Sequence, residues 1–190
     1  MLDREWLVVY SDPGGIGRWR RVGHELRGTA VTAIEAEDAL TLTVQTATLG
    51  VQRSSDGGQS WALVGEVALE PIGVWVATTG GPVDQVYPRI KAATALARLA
   101  GKNPVILAAA AGGIMFFRSE DDGIHWEPAG LQGEGIGRVN VIMPASYHID
   151  SAWAGTERGE LLHSENRGRE WQLVAREEVA ILSLAVMRLI

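Results

Sequence analysis

Short apolar runs recur along this chain in pairs, and each pair ends in a polar turn. The first members span residues 40–47, 105–110 and 151–156, each ending in small residues with a glycine in or just after the run; the second span 50–53, 114–118 and 160–163. After each polar turn comes another short run, at 61–64, 126–129 and 171–174. Further β-rich segments lie at 30–34, 93–99, 139–143 and 179–184. Runs of this length, rich in aliphatic residues and bounded by glycine and polar turns, predict strands, four to a unit. Residues 90–99 are alanine-rich and have helical propensity; their place in the repeat predicts a strand.

Two further units are degenerate. Residues 6–10 precede Ser11-Asp12-Pro13-Gly14-Gly15 and a second run at 17–22. Residues 74–79 precede Gly80-Gly81 and Val86-Tyr87. Inner hairpins therefore start near 7, 40, 74, 105 and 151. Five units would average about 38 residues, an ordinary size for a repeat of four strands. Four complete units with an inserted hairpin is the alternative, because little chain separates Trp61 from Val74.

The polar turns share one frame. It reads Ser54-Ser55-Asp56-Gly57-Gly58-Gln59-Ser60-Trp61, then Ser119-Glu120-Asp121-Asp122-Gly123-Ile124-His125-Trp126, then Ser164-Glu165-Asn166-Arg167-Gly168-Arg169-Glu170-Trp171. A short polar side chain at the third position can accept hydrogen bonds from nearby backbone N–H groups. Asn166 retains that ability through its amide oxygen. Glycine at the fifth position accepts a backbone angle that other residues resist. Tryptophan then brings a large ring to bury in the next strand. Asp56, Asp121 and Asn166 are expected to staple turns and not to act as acids, bases or metal ligands.

The frame resembles the Asp-box, or BNR repeat, of sialidase-like and sortilin-like β-propellers. That resemblance implies an all-β chain: a single domain over 1–190, a small propeller of four or five Asp-box blades. The chain begins mid-blade, and the run at 179–187 has no successor. Pairing of these N- and C-terminal strands is the expected closure of the ring, which would remove exposed edges. Closure by self-association is the rival.

In the resembling family, ligands use the face opposite the Asp-boxes. Here that transfers to loops 11–15, 47–50, 79–84, 110–113 and 156–159, with inter-blade stretches 23–28, 65–70, 131–137 and 175–178. The polar candidates there are Asp12, His24, Arg27, Asp84, Glu157 and Arg158, each of which can equally be a solvated loop residue. His125 and His163 are expected at the surface. His148, near Tyr147 and Asp150 with no histidine beside it in sequence, does not suggest a metal site.

The resemblance implies a non-catalytic binding or assembly module that presents loops to a protein partner, as in sortilin-type receptors and photosystem assembly factors. The alternative is a sialidase-like glycoside hydrolase acting on carbohydrate; a purely structural subunit is a third reading. Tyr87-Pro88-Arg89-Ile90 holds the residues of the sialidase Arg-Ile-Pro motif in another order and is no match. Glycosidases need two carboxyls facing across the scissile bond, and no such pair is identifiable. No catalytic, cofactor-binding or metal-ligating residue is assigned.

Composition narrows the partners. With 190 residues and a net charge of −6, the chain has no basic stripe to meet nucleic-acid phosphates. The absence of cysteine excludes disulfides, zinc thiolate sites and cysteine nucleophiles. The apolar stretches at 105–111 and 179–187 are too short for a membrane helix. The N-terminus as written has no signal peptide, so a cytoplasmic location is the default expectation.

Overall fold

The computed structural model describes residues 7–38, 40–65, 90, 93–110, 114–131 and 135–188. Among these are fourteen strands and no helix. The chain divides into two compact units, Met1–Glu70 and Pro71–Ile190.

In the first unit, β1 (Leu7–Ser11) and β2 (Arg20–Glu25) form a two-stranded antiparallel hairpin. The strands β3 (Val31–Ala36), β4 (Leu42–Thr46), β5 (Gly50–Ser54) and β6 (Ala62–Gly65) follow as a four-stranded antiparallel meander in chain order. That is the strand plan of a propeller blade. Ile34, Leu42, Val44 and Val51 are buried within it. Leu42 and Val44 are two apart on β4 and share one face of the pleat.

The second unit holds two more meanders. One comprises β7 (Ala95–Leu99), β8 (Val105–Ala110), β9 (Met115–Ser119) and β10 (Glu127–Leu131). The other comprises β11 (Val139–Pro144), β12 (Ala152–Thr156), β13 (Glu160–Ser164) and β14 (Glu170–Arg176). Every residue of β8 is buried, as its unbroken apolar run requires. Within the alanine-rich segment, residues 95–99 form strand β7, where pairing with β8 outweighs helical propensity.

The outer strands of the two meanders meet in a short parallel contact, Gly130 beside Glu170 and Leu131 beside Trp171. Leu99, Leu107, Phe116, Ile142, Leu162 and Trp171 belong to one buried cluster drawn from both meanders. An ionic network reinforces the join. The Arg118 side chain, only 3% exposed, donates to the carboxylates of Glu120 and Glu127. Arg169 from the third box reaches Glu120 in the second at 2.9 Å. The Arg118 guanidinium first, then Arg169 and Arg167, holds the Glu120 carboxyl below its ordinary range.

One expected strand is absent. The run at 179–184 joins no ladder. After β14 the chain bends at 178–179, and its donors turn to the β12–β13 turn: Glu177 N–H to Gly159 O at 2.8 Å and Ile181 N–H to Thr156 O at 2.9 Å. Carbonyls of a turn thus take the place of a partner strand. The sheet of β1 contains β2 and no other strand among the described residues. The expected hairpin at 74–79 and 86–87 lies outside the described residues.

Candidate functional site

The three boxes join the third and fourth strands of their meanders, between β5 and β6, β9 and β10, and β13 and β14. In the first, the Ser60 N–H and hydroxyl donate to the two Asp56 carboxylate oxygens at 2.9 and 2.5 Å. In the second, the His125 N–H donates to Asp121 Oδ1 at 2.8 Å, and His125 Nδ1 lies 2.5 Å from Asp121 Oδ2. In the third, the Glu170 N–H donates to Asn166 Oδ1 at 2.9 Å. The third-position side chain therefore binds the backbone four residues ahead in all three copies.

These bonds stabilise the ionised form. The Asp56 carboxyl is held down at about 2, first by the Ser60 hydroxyl and N–H and then by the Ser54 hydroxyl. The Asp121 carboxyl is likewise held at about 2, first by the His125 N–H and then by its ring. Carboxylates so engaged are poor proton donors near neutral pH.

Sequence reasoning missed two parts of the motif. The first-position serine holds the fifth-position glycine: Ser54 Oγ accepts from Gly58 N–H at 2.8 Å, Ser119 Oγ from Gly123 N–H at 2.8 Å, and Ser164 Oγ from Gly168 N–H at 2.9 Å. Its recurrence in all three copies was the available signal. The fourth position is also left-handed, with φ of 74° at Gly57, 60° at Asp122 and 60° at Arg167. Three different residues there conceal the requirement.

The polar loop candidates fall in different units of the chain. Asp12 Oδ2 accepts from Gly17 N–H at 2.7 Å, so its carboxylate closes its own loop. His24 lies on β2 opposite Val8, and Arg27 is exposed in the turn that follows. Asp84 lies outside the described residues. Glu157 and Arg158 are exposed neighbours on the β12–β13 turn. The Glu157 N–H donates to Arg138 O at 2.8 Å, and its Oε1 accepts from Arg138 N–H at 3.3 Å.

Behind that turn sits a buried carboxylate that sequence reasoning did not single out. Glu160 is 2% exposed; it accepts from the Thr156 hydroxyl and from Gly137 N–H at 3.3 Å. Thr156 Oγ1 in turn accepts from Glu160 N–H at 3.0 Å. Thr46 shows the same habit at the β4–β5 turn, where its Oγ1 accepts from Leu49 N–H at 3.0 Å.

His163 departs from the surface expectation. Its ring stacks on Trp153 with centroids 4.1 Å apart, and its Nε2 lies 2.8 Å from Ser151 Oγ. Burial lowers its pKa, Glu165 opposes the shift, and His148 adds to it. His148 and His163 are thus near enough for their charges to repel, although β12 separates them in sequence. His125, by contrast, is exposed as expected. Among the described residues, no group of three His, Asp or Glu side chains is placed to hold a metal ion. No helix among them is long and apolar enough to cross a membrane.

No family model matches the chain, and no curated protein does. Among solved structures, it is similar to the GH74 enzyme of Niastella koreensis at 17% identity and a TM-score of 0.37, over 84% of this chain. It is similar to an ancestral GH74 enzyme at 18% identity and a TM-score of 0.34, over 90% of this chain. The chain spans only 19% and 23% of those two enzymes' lengths. It is also similar to YCF48 bound to a D1 peptide, at 15% identity and a TM-score of 0.26, over 90% of this chain and 79% of that one.

Proposed function

We propose that the chain is a non-catalytic binding or assembly module of the Asp-box propeller type, presenting loops to a protein partner. The observation that carries this reading is the use made of the polar groups. The box carboxylates bind inward to their own turns, and the loop carboxylates of Asp12 and Glu157 accept from backbone N–H groups. The Thr156–Glu160 turn exposes Arg158, while its Thr156 and Gly159 carbonyls accept from the Ile181 and Glu177 N–H groups. Such a surface suits a polypeptide better than bond cleavage between two opposed carboxyls.

Affinity purification from the source cells tests it, with charge reversal as the control. The proposal expects one protein partner recovered with the wild-type chain and lost with the Arg27→Glu, Arg158→Glu double variant. Equal recovery with both would count against the loops assigned here.

Ring closure through the chain ends is proposed only as a second state. It requires residues 179–186 to leave the β12–β13 turn and pair with β1 as a strand. An engineered Val8→Cys, Leu184→Cys pair would trap that state by forming a disulfide; no cross-link under oxidising conditions would exclude it.

A further inference from the structure

The segment 177–188 is received on its turn chiefly by main chain. The Glu177 and Ile181 N–H groups donate to Gly159 O and Thr156 O, and Asn140 Nδ2 donates to Ile181 O at 3.2 Å. Two glycines make the seat possible. A Cβ on Gly155 would stand 2.3 Å from Ile181 Cγ2, and one on Gly159 would stand 2.2 Å from the Glu177 carbonyl oxygen. Gly159 also has a φ of 82°, which few other residues accept. Exposure alternates over residues 177–182: Glu177, Val179 and Ile181 are half-buried, while Glu178, Ala180 and Leu182 are exposed. That period of two belongs to extended chain with one face down. Thr156 and Glu160, both buried, fix the turn beneath by bonds that involve no atom of the segment.

We propose that this turn, with the notch at Gly155, is a recognition seat for an extended peptide carrying a branched apolar anchor, and that residues 177–188 fill it in cis as a displaceable occupant. The occupant's chemistry is read from the segment now seated there. Carbonyls of Thr156 and Gly159 bind any extended main chain, and the notch selects the side chain at the Ile181 position. The segment joins no ladder and Leu182 is half-exposed, so its release belongs to the low-cost openings of the structure. An intramolecular occupant competes at high effective concentration, so a free peptide binds well only when the tether's anchor is spoiled. The inference rests on the protein-binding reading above and names its partner class.

The test uses the full chain carrying Ile181→Asp and a fluorescent synthetic peptide of residues 177–188, followed by anisotropy. The peptide should bind Ile181→Asp at least about tenfold more tightly than wild type. Adding Gly155→Val to that variant should abolish the gain. Hydrogen exchange at β12 and β13 reports whether the seat survives. Absent or equal binding with wild-type protection would overturn the proposal. Loss of that protection in Ile181→Asp would overturn it too, by making the segment an integral part of the blade. Either failure leaves the charge-reversal test at Arg27 and Arg158 standing.

Discussion

The indole of Trp171 stacks on the ring of Phe116 with centroids 4.2 Å apart and an interplanar angle of 14°. The other two box tryptophans behave differently. Trp61 and Trp126 donate Nε1–H back to the glycine of their own box, at 3.0 and 2.9 Å. Trp171 is fully buried in the cluster shared by the two meanders of the second unit, and its Nε1 has no hydrogen-bond partner among the described residues. Trp171→Ala should therefore cost about 3–5 kcal/mol, and Trp61→Ala clearly less. Trp171→Phe should recover much of the loss, since it sacrifices no hydrogen bond. Denaturant midpoints of the three variants check the order.

Acid should destabilise the boxes unequally. Asp56 and Asp121 have folded pKa values near 2, below the unfolded carboxyl value of about 4. A depressed folded pKa means that the stabilisation is complete above the unfolded value and is lost as pH falls towards the folded one. Asp56→Asn with Asp121→Asn keeps an acceptor, as Asn166 does naturally, while removing the titration. Melting temperature between about pH 4 and 2 should fall less steeply in this double variant than in wild type. An unchanged slope would mean that the box carboxylates are not the groups responsible.

Glycine substitutions should separate backbone conformation from crowding. Gly58→Ala meets nothing closer than 3.6 Å and carries mainly the cost of φ 94°, about 1 kcal/mol. Gly168→Ala has a similar φ of 77°, but its Cβ would lie 2.3 Å from Leu107 Cδ2. Leu107 is buried in the shared cluster and has little room to withdraw. Crowding adds about 1–3 kcal/mol, so the loss should be about 2–4 kcal/mol. Unfolding curves showing equal losses would contradict the blade contact described at Leu107.

The strand plan was legible because each element carries its own signal: apolar runs, closing glycines and a repeated turn frame. Asn166 could be recognised as a stand-in for aspartate because its amide oxygen keeps the acceptor that the Glu170 N–H uses. The run at 179–187 misled for a physical reason. Its apolar pattern fits a ladder strand and an extended segment equally well, and the choice depends on whether a neighbour offers a strand edge or turn carbonyls. Gly155 and Gly159 decide that choice from elsewhere in the chain. The nearness of His148 to His163 was hidden likewise, since it arises only once β12 folds back against β13. At the candidate site, the exposure of Glu157 and Arg158 was legible as loop polarity. The burial of Glu160 was not, because a glutamate beside a glycine turn ordinarily reads as solvated.

Turnover on fluorogenic glycosides tests the non-catalytic reading most directly. The purified chain should release no fluorophore from sialosides or common aryl glycosides above a heat-denatured control. Hydrolysis that disappears in Glu157→Gln or Asp12→Asn, with the fold intact, would contradict the account and make the chain a glycosidase.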